Sequence, residues 1–274
     1  MKVLVSRLDG LFEISPDGSN RRIRTSGGDL RWSPDGRYLL SYKDENMEVH
    51  DLHTDTVRTV FSGSNDDRAG NGAAWMPDSR SVVFVRRFAE GVIDSRAELW
   101  TVDVHTGELR RIRDLENAAD NPLSVSEAGL IVYRCKVSNR HRLCLTNGSG
   151  AELGEVPNSL GVLDFEISPD GNWIAYPWPE GDRTTLLAIR TDGSLQRRIV
   201  HDRADTSARP GWTSDSSRVV FGLMWPDHNP PPCAGAPPCA SDGGVWSIGV
   251  DGTDARPLAG TDRHDTLEGV VAAP

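Results

Sequence analysis

A motif that ends in Ser-Pro-Asp-Gly and is followed by an apolar run recurs along the chain and constrains its fold more than any other feature. The unit at residues 30–42 reads LRWSPDG and then RYLLSY, and related units occupy residues 74–85, 165–176 and 211–221, with a degraded unit at 123–133. The spacings from Trp32 to Trp75 and from Phe165 to Trp212 are close to the ~40–45 residues of a repeat of four β-strands. The sequence therefore predicts stacked copies of one β-rich unit.

The residue types within each unit account for four short strands. Proline presets φ for a turn, aspartate bonds nearby backbone amides and glycine accepts a positive φ, so the motif joins a first strand to a second. A third strand, a glycine-containing turn and a basic fourth strand follow, as at residues 98–103 and 109–112. The two central strands are apolar on both faces, so each unit needs a neighbour on either side and the units are expected to stack in a ring.

The sequence WSPDG followed by an apolar strand, then LWTVD, a glycine turn and RRI, resembles the WD40-like (PD40) repeat of TolB-type propellers. The resemblance covers nearly the whole chain and implies an all-β fold, a six-bladed β-propeller of four-stranded antiparallel blades. A C-terminal strand near residues 267–272 is expected to complete blade 1 and close the ring, which leaves no exposed edge. The expected single domain spans residues 1–274, with blades at roughly 1–27 plus 265–273, 28–63, 72–115, 121–157, 162–201 and 208–260.

Charge and hydropathy exclude two classes of partner. The formal net charge is −10 and the pI about 5.2, and no basic face of the kind that neutralises phosphates is evident, so nucleic acid is not expected as a partner. No apolar run approaches the ~20 residues of a membrane helix, so no membrane insertion is expected. The chain as written starts without a secretory leader, which predicts a cytoplasmic protein.

The four cysteines favour the opposite compartment. A hairpin centred between Asn139 and Arg140 would place Cys135 and Cys144 directly opposite each other, and Cys233 and Cys239 could close the Pro-rich loop around them. Two such disulfides would indicate an oxidising, extracytoplasmic compartment and a leader that has been removed. The alternative, two buried and two exposed free thiols, stays open.

The chain contains no established catalytic or metal-binding motif. No HExxH, GxSxG, P-loop or dinucleotide fingerprint is present, and the cysteine spacings do not match a zinc site. Asp35, Asp78 and Asp170 are interpreted as turn residues, because every repeat has such a position. We expect no metal ligands and no cofactor, although a divalent cation bound in the propeller channel is left open.

Ligand recognition is expected where loops surround the channel mouth, because propellers concentrate functional side chains on loops carried by a rigid scaffold. Two long loops, residues 86–96 in blade 3 and 223–243 in blade 6, are predicted to face each other across this mouth. Together with the polar blade-to-blade loops, they supply the predicted ligand-binding residues Asn71, Arg86, Asn121, Arg203, Arg209, Trp225 and Glu268.

These features favour a non-catalytic, monomeric binding module that recognises a protein, a peptide or a small polar ligand at the channel mouth. The alternative is a propeller enzyme, a hydrolase or lyase acting on a polar substrate, with His228, His264 and Asp227 as candidate catalytic residues. A third class, a gating or regulatory module, would expose an apolar patch instead of a polar pocket. An enzyme would need a histidine within hydrogen-bond reach of a carboxylate or an arginine in one pocket.

Overall fold

A computed structural model gives the architecture of the chain. It describes residues 2–7, 10–15, 17–23, 28–43, 46–64, 66–90, 93–115, 122–137, 140–181, 183–200, 209–223, 244–258 and 266–271. These residues form twenty-four β-strands in six four-stranded antiparallel sheets, and they contain no helix. The predicted all-β fold with six four-stranded blades is confirmed.

The chain divides into two compact units. The central unit, residues 25–163, holds blades 2, 3 and 4. Its strands are β4 (Gly28–Trp32), β5 (Tyr38–Lys43), β6 (Asn46–Asp51), β7 (Thr56–Ser62), β8 (Asp67–Trp75), β9 (Ser81–Glu90), β10 (Ile93–Asp103), β11 (Leu109–Leu115), β12 (Leu123–Val125), β13 (Leu130–Val137), β14 (Arg140–Asn147) and β15 (Glu152–Glu155).

The terminal unit, residues 1–24 and 164–274, holds blades 1, 5 and 6. Its strands are β1 (Lys2–Arg7), β2 (Gly10–Ile14), β3 (Asn20–Ile23), β16 (Glu166–Ile167), β17 (Trp173–Glu180), β18 (Arg183–Arg190), β19 (Gln196–Val200), β20 (Gly211–Trp212), β21 (Arg218–Leu223), β22 (Gly244–Gly249), β23 (Arg256–Pro257) and β24 (Thr266–Val271). A single domain over residues 1–274 stays a prediction.

Blade 1 is assembled from both ends of the sequence, as predicted. Its strand order is β24-β1-β2-β3, and Lys2 pairs with Val271 in the antiparallel register. Leu267 of β24 is buried and packs in one cluster with Val3 and Val5 of β1. The C-terminal strand therefore covers an edge of β1 that would otherwise be exposed.

The Ser-Pro-Asp-Gly segments are turns closed by their own side chains. In blade 2, the Ser33 hydroxyl donates to Asp35 Oδ1 at 2.6 Å and accepts from the Tyr38 amide at 2.8 Å. Blade 5 repeats this arrangement, with the Ser168 hydroxyl donating to Asp170 Oδ1 at 2.5 Å. The carboxylates are engaged within the turn, which agrees with their interpretation as turn residues.

Tryptophan side chains at the position just before the turn join neighbouring blades. Trp75 Nε1 of blade 3 donates to the Arg31 carbonyl of blade 2 at 2.9 Å, and Trp212 Nε1 of blade 6 donates to the Glu166 carbonyl of blade 5 at 3.0 Å. The position in blade 5 that corresponds to Trp212 is Ile167, since it directly precedes the turn. Phe165, which the repeat comparison used, lies just before β16.

Two local expectations were wrong. Residues 86–96 are mostly paired strand instead of a long loop, because β9 continues to Glu90 and β10 begins at Ile93, with Phe88 opposite Arg96. Cys135 pairs with Arg142, and Tyr133 with Cys144, so the two cysteines are diagonal neighbours and not directly opposed. They nevertheless form a disulfide, with Cα atoms 5.8 Å apart. Of the predicted loop 223–243, Leu223 is described as the last residue of β21. Residues 224–243, which include Cys233 and Cys239, lie outside the described residues.

Candidate functional site

In the central unit, the blade-to-blade connections and the hairpins between second and third strands meet at one end of each blade. The Ala89 amide of the blade 3 hairpin donates to the Asp66 carbonyl, which precedes β8, at 3.0 Å. In blade 4, the Gly161 amide donates to the His141 carbonyl at 3.0 Å. We call this the connection end, and it is where ligand-binding residues were expected.

Arg86 is fixed at the connection end of blade 3 by a paired carboxylate and three aromatic rings. Its Nε and one terminal nitrogen donate to the two carboxylate oxygens of Asp67 at 2.7 and 2.6 Å. The guanidinium carbon lies 4.7 Å from the Trp100 ring centroid, 5.1 Å from that of Phe88 and 5.6 Å from that of Phe61. The bonds to Asp67 raise the pKa of Arg86 above its usual value. Such a bidentate, stacked arginine is held in one geometry.

A second guanidinium extends this arrangement to the surface. Arg96 lies 4.4 Å from the Phe88 ring centroid, and its side chain is 59% exposed. Arg96 Nε also approaches the buried carboxylate of Glu98 at 3.4 Å, and Trp100 Nε1 donates to Glu98 at 2.8 Å. We call Arg86, Phe88, Arg96 and Trp100 the blade 3 platform.

Arg87, which the sequence analysis did not select, is buried on the opposite side of β9. The residue is 5% exposed, and a Cβ atom at Gly70 would lie 3.0 Å from its Nε. Gly70 belongs to β8, so the absence of a side chain there gives Arg87 room beside the first strand of the blade. The small residues of β8, which reads DRAGNGAAW, could have indicated that a large side chain of the neighbouring strand packs against it.

The hairpin of blade 4 is rich in cations that the sequence analysis also did not select. Lys136 of β13 pairs directly with His141 of β14, and Arg134 lies two residues before Lys136 on the same face. Burial lowers the pKa of His141, and the positive charges of Arg134 and Lys136 lower it further. Arg140 is exposed beside the turn. This hairpin therefore carries a local positive potential with a neutral imidazole beside it at pH 7.

In the terminal unit, the structure describes one of the predicted ligand-binding residues with its side chain. Arg209 Nε lies 2.7 Å from a carboxylate oxygen of Glu166, and its guanidinium carbon is 5.9 Å from the Phe165 ring centroid. Glu166 also begins the first strand of blade 5. Arg209 thus contacts both a carboxylate and an aromatic ring, as Arg86 does in blade 3.

The other predicted site residues are not tested by these contacts. Asn71 lies in β8 and Glu268 in β24, but the placement of their side chains is not described. The remaining candidates lie outside the described residues: Asn121, Arg203, Trp225, Asp227, His228 and His264. The proposed assembly of these groups in one site therefore stays a prediction.

The described residues contain two close histidine contacts, and both lie at the opposite end of the blades. His50 Nε2 is 2.9 Å from Asp55 Oδ1, and His105 Nδ1 is 3.2 Å from an Arg58 guanidinium nitrogen. Each contact involves the turn between a third and a fourth strand. Within the part of the chain that the structure describes, no group of three or more His, Cys, Asp or Glu side chains could hold a metal ion.

Comparison with known proteins supports the fold. No protein-family profile and no curated protein sequence match the chain. Similar solved structures include a candidate TolB from Agrobacterium tumefaciens, with TM-score 0.67 and 18% identity over 100% of this chain and 92% of that one. TolB from Acinetobacter baumannii has TM-score 0.66 and 15% identity over 97% and 66% of the two chains. An oligogalacturonate lyase in complex with manganese has TM-score 0.54 and 15% identity over 81% and 82%.

These similarities define the class of protein. The chain has the six-bladed β-propeller fold and is structurally similar to TolB. At such low identity the similarity extends to the fold alone, since one propeller scaffold carries both binding proteins and enzymes. The PD40 repeat assignment stays a prediction. No helix long and apolar enough to cross a membrane occurs among the residues that the structure describes.

Proposed function

We propose that this protein is a non-catalytic propeller that binds a protein, a peptide or a small polar ligand at the connection end of its blades. The observation that carries this proposal is the blade 3 platform, in which Arg86 lies at cation–π distance from Phe88 and Trp100, and Arg96 from Phe88. Arginine and the aromatic residues are the types enriched at the energetic centres of protein interfaces.

Preorganisation further supports a binding role. Arg86 is 17% exposed and is already fixed by Asp67, so little side-chain freedom would be lost when a ligand contacts its neighbours. Arg96 and Phe88 lie beside it, and the Arg96 guanidinium remains accessible. The platform thus combines a rigid base with an accessible edge.

We propose an oxidising, extracytoplasmic compartment for this binding activity. The Cys135–Cys144 disulfide supports it, because buried disulfides persist in oxidising compartments and are rare in the cytosol. Cell fractionation with an antibody against the native protein tests this assignment. Recovery of the protein with cytosolic markers, with both thiols reduced, would contradict it.

The binding proposal is tested by capture experiments with three forms of the protein. Wild type, Phe88→Ala/Arg96→Ala and the matched surface variant Arg256→Ala are immobilised and exposed to a lysate and to a displayed library of random peptides. We expect wild type and Arg256→Ala to retain the same specific binders, and the platform variant to lose at least about tenfold in affinity. Repeating the capture in EDTA determines whether a divalent cation takes part.

Detection of substrate turnover would replace the binding proposal with the enzyme alternative. The solved lyase of the same fold provides the substrate class to try first, an oligogalacturonate. Turnover that is abolished by His228→Ala or His264→Ala, with no specific binder captured, would favour the hydrolase or lyase alternative. Equal binding by wild type and the platform variant would show that the blade 3 platform is not the binding surface.

A further inference from the structure

The hairpin of blade 4 has a charge opposite to that of the whole chain. No aspartate or glutamate occurs between Glu127 and Glu152, although the chain has a formal net charge of −10. Arg134 and Lys136 on β13, and Arg140 and Arg142 on β14, all lie within this stretch. We call these four side chains the basic hairpin. Its charge forms a local patch that the composition of the whole chain conceals.

The register places these cations on both faces of the hairpin, close to its turn. Lys136 pairs with His141, whereas Arg142 pairs with Cys135 on the other face. Arg142 lies 3.2 Å from a carboxylate oxygen of Glu155, but both side chains are more than a third exposed. An ion pair at such a site contributes little, so a partner's carboxylate can compete for Arg142 at small cost.

Apolar side chains lie directly beside the basic hairpin. The segment after β15 is held against β14, because the Leu143 amide donates to the Ser159 hydroxyl at 3.0 Å and the Gly161 amide donates to the His141 carbonyl. The same segment exposes Leu160 and Leu163, at 41% and 56%. Large apolar side chains that remain exposed beside a charged rim are typical of an interaction surface.

The two strands that carry this surface are covalently joined. The Cys135–Cys144 disulfide links β13 to β14, and both cysteines are buried on the side of the hairpin that packs with blade 3. A surface held in one conformation loses less entropy on binding than a flexible one.

We propose that the basic hairpin, with Leu160 and Leu163, docks an acidic segment of a partner protein that also carries an apolar side chain. The charge complementarity selects this occupant, since an acidic segment is steered to a cluster of four cations on a molecule of net negative charge. Nucleic acid fits less well, because the net charge of −10 of the whole chain opposes the approach of a long polyphosphate. This inference rests on the proposed binding function and adds the partner chemistry and its surface.

The test uses the full-length protein and a displayed library of random peptides. Wild type is compared with Lys136→Glu/Arg140→Glu, with Leu163→Ser, and with Arg256→Glu as a single charge-reversal control on an exposed outer strand. We expect wild type to enrich peptides that combine Asp or Glu with Leu or Phe. The double variant is expected to bind the enriched peptides about tenfold more weakly, and Leu163→Ser to lose the apolar preference while it keeps the acidic one.

Salt dependence and folding controls test whether the loss of peptide affinity is electrostatic. Affinity of wild type for a selected peptide should fall as salt rises, and the double variant should show a shallower dependence. Unchanged circular dichroism and thermal midpoint establish that Lys136→Glu/Arg140→Glu is folded; if it is not, Arg140→Gln replaces it, because Arg140 is exposed.

Three outcomes would overturn the inference. They are selection of peptides without acidic bias, acidic binding that the charge reversals leave unchanged, and displacement of the selected peptide by single-stranded RNA at physiological salt. Binding that still depends on Phe88 and Arg96 in any of these cases would leave the proposed binding function standing. If the wild-type protein captures no specific binder from the lysate or the peptide library, both proposals are contradicted.

Discussion

At the scale of single residues, two serines occupy positions where the repeat usually has glycine. Ser79 and Ser216 have φ angles of 51° and 58°, in the left-handed region. Each serine hydroxyl accepts a hydrogen bond from the turn of the preceding blade, from the Asp35 amide at 3.0 Å and from the Asp170 amide at 2.9 Å. The cost of the backbone conformation is therefore offset by a bond that glycine could not accept.

This arrangement predicts an unusual order of stability for substitutions at Ser79. Ser79→Ala loses the hydroxyl and keeps a side chain at positive φ, whereas Ser79→Gly loses the hydroxyl but relieves the backbone. We expect both variants to be less stable than wild type, with the alanine variant lower by about 1 kcal/mol than the glycine variant. Urea denaturation measures this difference. A glycine variant less stable than the alanine variant would contradict the account.

The ionisation of Asp51 leads to a prediction about how stability changes at acidic pH. Hydrogen bonds from Arg37, followed by those from the His53 and Thr54 amides, outweigh the effect of burial and lower the pKa of Asp51 to about 2. Its stabilising contribution is complete above the unfolded pKa of about 4 and is lost as pH falls through about 2. We expect Asp51→Asn to lower the Tm by ~2–4 °C at pH 7, and the difference from wild type to narrow between pH 4 and 2.

The measurement is calorimetry of wild type and Asp51→Asn across that pH range. Glu127→Gln, at an exposed turn position of blade 4, serves as the control and should follow wild type throughout. If the difference in Tm between wild type and Asp51→Asn stays constant from pH 7 to 2, the ionised form of Asp51 does not contribute to stability.

At the scale of strands and hairpins, the turn chemistry of the repeat could be predicted from the sequence, but the length and register of individual hairpins could not. The side-chain hydrogen bonds within the Asp35 turn join residues a few positions apart, so the sequence predicts the turn. Residues 86–96 lack the apolar alternation of a strand, and their pairing is accompanied by contacts of Arg86 with Asp67 and Phe61, which lie in other elements. Such contacts become visible only when the blades are in place.

The disulfide of blade 4 illustrates the same limit. The sequence predicts that Cys135 and Cys144 are close, but the hairpin turn falls between Val137 and Arg140, one residue earlier than expected. That shift makes the cysteines diagonal neighbours, a geometry within the range of disulfides. Turn propensities do not locate a turn to within one residue.

Removal of this disulfide should weaken the fold measurably. The cysteines are nine residues apart, and closing a loop of that size contributes about 2–3 kcal/mol through the unfolded state. We expect the urea midpoint to fall on addition of a reductant, and Cys135→Ala/Cys144→Ala to have a lower midpoint than oxidised wild type. Equal midpoints for oxidised and reduced wild type would contradict a stabilising role.

At the scale of the whole molecule, the fold could be predicted because the repeat is regular. For the site, the sequence indicated only which loops were expected to carry it. The repeat defines six blades, including the completion of blade 1 by β24. Of the predicted ligand-binding residues, Arg86 is described in contact with Asp67 and aromatic rings, but neither the platform around it nor the basic hairpin was predicted. Both consist of residues that are close in sequence, but which side chains share a face depends on the hairpin register, and that register differs from the expected one in both hairpins.

The joining of the two chain ends in blade 1 makes the strongest prediction for the molecule as a whole. Leu267 is 3% exposed and packs in one cluster with Val3 and Val5 of β1 and with Val220 and Val245 of blade 6, so its truncation leaves a cavity in that cluster. We expect Leu267→Ala to cost about 2–5 kcal/mol in the free energy of unfolding. Val57→Ala, at a position that is 54% exposed, should change it by less than about 0.5 kcal/mol.

Urea denaturation of the two variants, with limited proteolysis near residue 7, distinguishes a structural closure from a loosely attached terminus. If β24 holds blade 1 together, Leu267→Ala lowers the midpoint and makes the N-terminal strands susceptible to cleavage, because the edge of β1 opens more often. If Leu267→Ala behaves like Val57→Ala in both measurements, β24 contributes little to stability. The fold would then depend on the contacts within the other five blades and not on the pairing of its two ends.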